Sequence, residues 1–311
     1  MKKLKYIVLL GAFLFAGCTT SGTKPEEESE QLQIVTTLFP QYDFTRTIVQ
    51  GEAEVTLLIQ PGVDSHLYEP TPADIIKIQE ADVFIYTGDA MEVWAKRILD
   101  SIDTSNMLII DVSQGITLIE ADEEHDHDGH NHGEVDPHIW TSPVNAIQMV
   151  KTIETGLSSL EDSNKEFYQA NAEQLVTELT ELYQAFHDVV NQAENKVMVF
   201  GSRYSSQYFV QEYGITVLSA YTSDVENSEP SIQTIQKIID YVKENEVPVI
   251  FYQESSEMQV IDTIANETGA KKLLFHSCHN LTKSEAEEGK TYLSLMWDNL
   301  EHLKEAFGET E

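Results

Sequence analysis

Eight short runs of β-branched and aliphatic residues, four on either side of a long stretch without any, constrain how this 311-residue chain can fold. The first four lie at 34–38, 54–59, 83–87 and 107–112, the second four at 196–200, 215–220, 248–253 and 272–275. Each is four to six residues long and ends in turn or capping residues. Between them, 71–80, 90–103, 231–244, 259–267 and 292–305 carry apolar residues at helical spacing, and Pro72 follows Thr71 at a first-turn position. Strands that alternate with helices predict parallel sheets covered on both faces. The expectation is an α/β chain of two doubly wound lobes.

The separating stretch reads as two helices, over 142–160 and 164–193. In the second, Phe167, Ala170, Leu175, Leu179, Leu182, Phe186 and Val189 or Val190 recur mostly at three- to four-residue steps. A helix of ~30 residues is ~45 Å long, enough to run the height of both lobes as a rigid spine; the ordinary alternative is a long helix packed within one domain. The expected organisation is an N-terminal lobe over 32–160, a linking helix over 161–195 and a C-terminal lobe over 196–311.

The amino terminus is of another kind. Lys2, Lys3 and Lys5 precede an eleven-residue apolar run over 6–16, too short to span a bilayer, and Ala16-Gly17-Cys18 closes it. This reads as a signal peptide over 1–17. It resembles the lipobox of bacterial lipoproteins, with Phe15 in place of the usual aliphatic residue, and so implies lipidation of Cys18 and an anchor on the outer face of the cell membrane. Residues 18–31 are rich in Ser, Thr, Gly and Glu and read as a solvated tether.

Composition narrows the function. With 19 Lys and Arg against 53 Asp and Glu, the formal charge of −34 excludes a nucleic-acid partner, which needs clustered cations. Two cysteines exclude a disulfide scaffold and a four-thiolate zinc module. Ten histidines remain to be explained. His125, His127, His130 and His132 fall within 121–134, otherwise almost wholly Asp, Glu, Gly and Asn, a tract that offers imidazoles and carboxylates to a divalent cation. His187 and His302 sit in helical patterns beside charged neighbours and read as solvated.

His66 and His138 stand in loops stiffened by Pro and Gly: Pro61-Gly62-Val63-Asp64-Ser65-His66-Leu67-Tyr68-Glu69-Pro70 and Val135-Asp136-Pro137-His138-Ile139-Trp140-Thr141-Ser142-Pro143. Such loops at strand and helix ends are where α/β lobes place ligands. Asp64 and Asp136, two residues before each histidine, are candidate acceptors for the ring nitrogen that a metal would leave free.

The two motifs, with the His-rich insert just before the second, resemble the zinc- and manganese-specific solute-binding lipoproteins of ABC importers. The resemblance runs from Ile34 to the ending Gly289-Lys290-Thr291-Tyr292-Leu293-Ser294-Leu295-Met296-Trp297-Asp298-Asn299-Leu300. It implies two lobes joined by a long helix, a metal cleft between them, and delivery to a membrane permease with its ATPase; a monomer is expected. It also implies that His66 and His138 are the first two ligands. The family's third ligand falls at Arg203, counted back from Tyr213-Gly214, and a guanidinium has no lone pair to give. The fourth falls in the loop Phe275-His276-Ser277-Cys278-His279-Asn280-Leu281-Thr282, where alignment of Leu281-Thr282 selects His279, with His276 in reserve. Glu254 is expected to supply an oxygen or to orient a ligand, and Glu229 to cap the following helix.

Three imidazoles and one oxygen favour Zn2+ over Mn2+, which prefers oxygen-rich sites. The implied function is a zinc-binding lipoprotein of an uptake system. A zinc hydrolase on the same histidines is the alternative from the enzyme class, although H-E-x-x-H is absent. A surface adhesin or storage module that binds through the His-rich loop is the other.

Overall fold

In the computed structural model, residues 31–120, 135–160, 162–221 and 230–308 are described. The expectations for Cys18, the signal and tether, the four histidines of 121–134, and Glu229 fall outside these residues.

All eight expected strands form, each within one or two residues of its expected ends. In the first lobe β1 (Leu32–Thr36), β2 (Ala53–Leu57), β3 (Val83–Tyr86) and β4 (Leu108–Asp111) make a parallel sheet in the order β2-β1-β3-β4. In the second, β5 (Val197–Phe200), β6 (Thr216–Ser219), β7 (Val249–Tyr252) and β8 (Lys271–Leu274) repeat it as β6-β5-β7-β8. Every residue of β3 is buried, as expected of an inner parallel strand covered on both faces.

Helices complete the lobes. In the first they are α1 (Phe39–Val49), α2 (Pro72–Glu80) and α3 (Val93–Leu99); α4 (Pro143–Leu160) and α5 (Lys165–Gln192) follow. In the second they are α6 (Gln207–Tyr213), α7 (Ile232–Glu244), α8 (Met258–Thr268), α9 (Lys283–Glu287) and α10 (Tyr292–Phe307). Thr71 starts α2 through a reciprocal pair with Asp74, as its Oγ1 accepts from the Asp74 amide at 3.3 Å and its own amide donates to Asp74 Oδ2 at 3.1 Å. Helix α3 is shorter than expected because the Glu92 carboxylate turns back to the Thr37 hydroxyl and the Thr87 amide, which ends the preceding loop there. Burial pushes that carboxyl up to about 7. Helix α1 was not legible. Its buried face includes Gln41, Asp43 and Thr45, so polar residues stand where a periodicity reading looks for apolar ones.

Three apolar clusters follow from this layering. One is covered by α2 and α3, with Ile78, Phe84, Trp94 and Ile98. Another is covered by α7 and α8, with Val199, Ile239, Ile250 and Ile264. The third is continuous through both lobes, from Ile34 and Phe44 through Leu175, Leu179, Leu182 and Phe186 of α5 to Phe200, Phe251 and Leu300. Helix α5, 28 residues and therefore about 42 Å long, contacts α1 and α4 as well as α6 and α10. It is a shared wall, and not a tether between two independent cores. Among the described residues no helix is long and apolar enough to cross a membrane.

Leu179 is fully buried in the middle of that wall. Leu179→Ala is expected to destabilise the metal-free protein by about 2–5 kcal/mol and to lower its calorimetric midpoint. A variant that melts with the parent would contradict the shared core.

Candidate metal centre

Both sheets reverse strand order between their first and third strands, and the crevice outside the carboxyl ends of such strands is where ligands bind. Three loops leave those ends toward one point. The loop after β2 carries His66, the segment between β4 and α4 carries His138, and the turn after β8 carries His279.

One ligating atom from each of these three histidines lies within 4.8 Å of the other two, the only such group of His, Cys, Asp or Glu among the described residues. His66 Nε2 and His138 Nε2 are 3.2 Å apart. Two nitrogens each ~2.0–2.1 Å from a tetrahedral zinc are separated by about 3.3–3.4 Å, so this pair already has the spacing of one edge of a zinc site. The rings of His66 and His279 meet edge to face at 4.8 Å between centroids, those of His138 and His279 at 5.3 Å. Trp140 backs the group, 4.9 Å from the His279 ring and 5.5 Å from that of His138. His66 is exposed and His138 buried, which leaves the His66 side as the open side.

Hydrogen bonds set the lone pairs. Asp136 Oδ1 accepts from the His138 amide at 2.8 Å and lies 2.7 Å from His138 Nδ1. A carboxylate only accepts, so the ring proton sits on Nδ1 and the Nε2 lone pair faces His66. Asp64 differs from the expectation: its carboxylate accepts the His66 amide at 2.9 Å and caps the turn. His279 Nε2 is 2.6 Å from the Ser65 hydroxyl. Burial, together with the neighbouring His138 and His66, holds the His279 pKa well below the ordinary 6.5, so this ring is neutral at pH 7. Three imidazoles brought together, one of them with its ring orientation set by a carboxylate, fit a divalent cation of the zinc type.

The other expected donors lie elsewhere. Both Glu254 oxygens are taken by Ser277, one by its amide at 2.9 Å and the other by its hydroxyl, and Glu254 is not part of the three-histidine group. His276 is buried; its Nδ1 accepts the Cys278 amide at 2.9 Å, its Nε2 lies 3.4 Å from a Glu285 oxygen in α9, and the reserve ligand is not part of the three-histidine group. The Cys278 thiol is buried, and burial raises its pKa. The Arg203 guanidinium lies over the Tyr221 ring at 4.9 Å. His302 is half-buried, with its Nδ1 2.6 Å from the Leu274 carbonyl oxygen.

Sequence reasoning missed the contacts that close the two lobes around the group. Asn280 Nδ2 donates to the carbonyls of Gln60 and Val63, each at 2.9 Å, and the Gly62 amide donates to the Leu281 carbonyl at 2.7 Å. Trp140 Nε1 donates to the Ser277 carbonyl at 3.0 Å, and the Tyr292 hydroxyl to the Trp140 carbonyl at 2.6 Å. Most of the groups that meet here are backbone, which leaves no pattern in the residue types. Glu120 and Val135 form an antiparallel bridge immediately before Asp136.

Known proteins are similar to this chain in sequence and in fold. Residues 34–306 match the family model described as ZnuA, zinc-uptake complex component A, periplasmic. The high-affinity zinc uptake system protein ZnuA of Bacillus subtilis is 34% identical, over 97% of this chain and 96% of that protein. The zinc-binding lipoprotein AdcA of Streptococcus pneumoniae is 32% identical over 97% of this chain, which spans only 61% of AdcA. Among solved structures, the metal-dependent lipoprotein YcdH of B. subtilis aligns with a TM-score of 0.78 at 33% identity, covering 89% of this chain and 99% of that one. The Zn(II)-bound ZnuA-like domain of S. pneumoniae AdcA aligns at 0.75 and 31% identity, with the same coverage.

The depressed pKa of His279 has a direct reading. In the metal-free protein its imidazole is expected to keep the neutral nitrogen NMR pattern on acidification to about pH 6, where an ordinary histidine is already mostly charged. A His279 midpoint at the ordinary value would contradict its enclosure.

Proposed function

This chain belongs to the zinc-uptake complex component A family, and on that premise we propose that it is the substrate-binding lipoprotein of a metal ABC importer. It captures Zn2+ between its lobes and passes the ion to a membrane permease driven by a cytoplasmic ATPase. The observation that carries the reading is the convergence of His66, His138 and His279, with the first two ring nitrogens at the spacing of a tetrahedral edge. These three are the proposed ligands, with the fourth position left to water.

Nitrogen-only donation favours Zn2+ over Mn2+. A site completed by three protein ligands also suits cargo, because one exchangeable position gives an accepting group a way in. The chain's own part is to hold three imidazoles together: Asp136 fixes the His138 ring, Ser65 meets His279, and Trp140 walls off one side. The tract 121–134 would collect ions, since its histidines and carboxylates offer many donors to a divalent cation. Cys18 would carry the lipid that keeps the protein, as a monomer, on the outer face of the membrane. The name of the AdcA relative, a zinc-binding lipoprotein, agrees with that anchor.

The hydrolase alternative needs a general base beside the open position. Glu254 was its candidate, and that carboxylate is occupied by Ser277.

The mature protein is expected to bind about one tight equivalent of zinc in chelator competition, and His66→Ala with His138→Ala to abolish it. Undiminished tight binding in the double variant would contradict the assignment. Removal of residues 122–133 is expected to leave the tight equivalent in place; its loss with the loop would favour the storage reading.

A further inference from the structure

We propose that Glu254 is a positioning residue for the metal site, acting through Ser277 to hold His279 in place, and not a ligand. The inference rests on the three-imidazole reading above and deepens it.

His279 is the only member of the group supplied by the second lobe, and it arrives on an unfavourable turn. Cys278, the residue before it, is buried and has φ 58°, in the left-handed region that a non-glycine side chain rarely enters. Such a residue persists only where its surroundings determine it more strongly than its own preference. The surroundings are visible on both sides. Asn299 holds His276, accepting its amide at 2.7 Å and donating to its carbonyl at 2.8 Å. Glu254, just beyond β7, accepts both the amide and the hydroxyl of Ser277. Ser277 Oγ in turn accepts the His279 amide at 3.2 Å.

The chain of contact therefore runs from a carboxylate, through one serine, to the backbone of a proposed ligand. Glu254 itself adjoins a second left-handed residue, Ser255 at φ 63°. Two turns that are each locally unfavourable thus face one another across the same carboxylate. Hydrogen bonds to a charged acceptor are the strong kind, and Ser277 is buried, so water cannot replace the carboxylate cheaply. Without Glu254 the charge-assisted bonds that hold Ser277 beside Cys278 are lost, and relaxation of that turn would swing His279 away from His66 and His138. A glutamine keeps the geometry: its carbonyl accepts the Ser277 amide, and its NH2 donates to the Ser277 hydroxyl.

The test is a set of variants read by zinc affinity in chelator competition and by the visible spectrum of bound Co2+. Glu254→Ala is expected to weaken zinc binding about 10- to 100-fold, the size seen when a partner that orients a ligand is lost, and to change the Co2+ bands. Glu254→Gln is expected to stay within about threefold of the parent, because neutral hydrogen bonds keep the turn. In a His279→Ala background, Glu254→Ala is expected to add little, since residues acting along one route are not additive. A Glu254→Gln as weak as Glu254→Ala, or a full loss from Glu254→Ala without His279, would overturn the proposal in favour of direct charge or ligation. If Glu254→Ala does not fold, Glu254→Gln decides alone: near the parent it upholds the role, near His279→Ala it refutes it. A parent protein that binds no zinc would overturn the metal reading as well, whereas normal zinc loss in His66→Ala/His138→Ala with an additive cycle overturns only the role of Glu254.

Discussion

The apolar core that passes along α5 from one lobe to the other is what the rest of the structure depends on. Two α/β lobes with separate cores would meet only through a polar seam, and such lobes move against each other by default. Here Leu175, Leu179, Leu182 and Phe186 are buried between α1 and α4 on one side and α6 and α10 on the other. The carboxyl ends of both sheets are therefore held facing one crevice. A three-imidazole group needs that fixity, since a zinc-sized ion reaches its ligands only within a few tenths of an ångström. The polar contacts across the crevice, from Asn280 to Gln60 and Val63 and from Trp140 to Ser277, are few and serve to register loops that the core has already brought together.

Within the crevice each histidine is prepared differently. His138 is the most determined, with Asp136 on its far nitrogen and its amide, and burial on all sides. His279 is neutral by enclosure and reaches the group from a left-handed turn. His66 is exposed, on a loop whose neighbours Val63 and Leu67 also face solvent. Rigidity thus falls from His138 to His66. With these three as the proposed ligands, an ion entering from solvent would meet the exposed His66 first.

Much of this was legible in the residue string, for physical reasons that differ by level. The strands were legible because buried parallel strands are continuous apolar runs, and α5 because one face is apolar for about six turns, from Tyr168 to Val190. Helix α1 was not, since Gln41 and Asp43 are buried to bond other parts of the chain, as when Asp43 Oδ2 accepts the Tyr292 amide at 2.8 Å. At the site, Asp136 could be found from its two-residue offset to His138, yet the same offset at Asp64 led to a backbone cap. Glu254 was singled out as a useful carboxylate, but residue type could not say that Ser277 would take both oxygens. The family pattern gave His279 and put Arg203 where a ligand was expected. Which residues oppose each other across the crevice is a property of the three-dimensional arrangement, and no local signal carries it.

The most direct test of the central claim is a zinc-edge anomalous map from crystals of the mature protein loaded with one equivalent of Zn2+. A single strong peak is expected at about 2.0–2.1 Å from one nitrogen each of His66, His138 and His279, with Glu254 still on Ser277. A peak coordinated by the Glu254 carboxylate, or strong peaks only in 121–134, would contradict it.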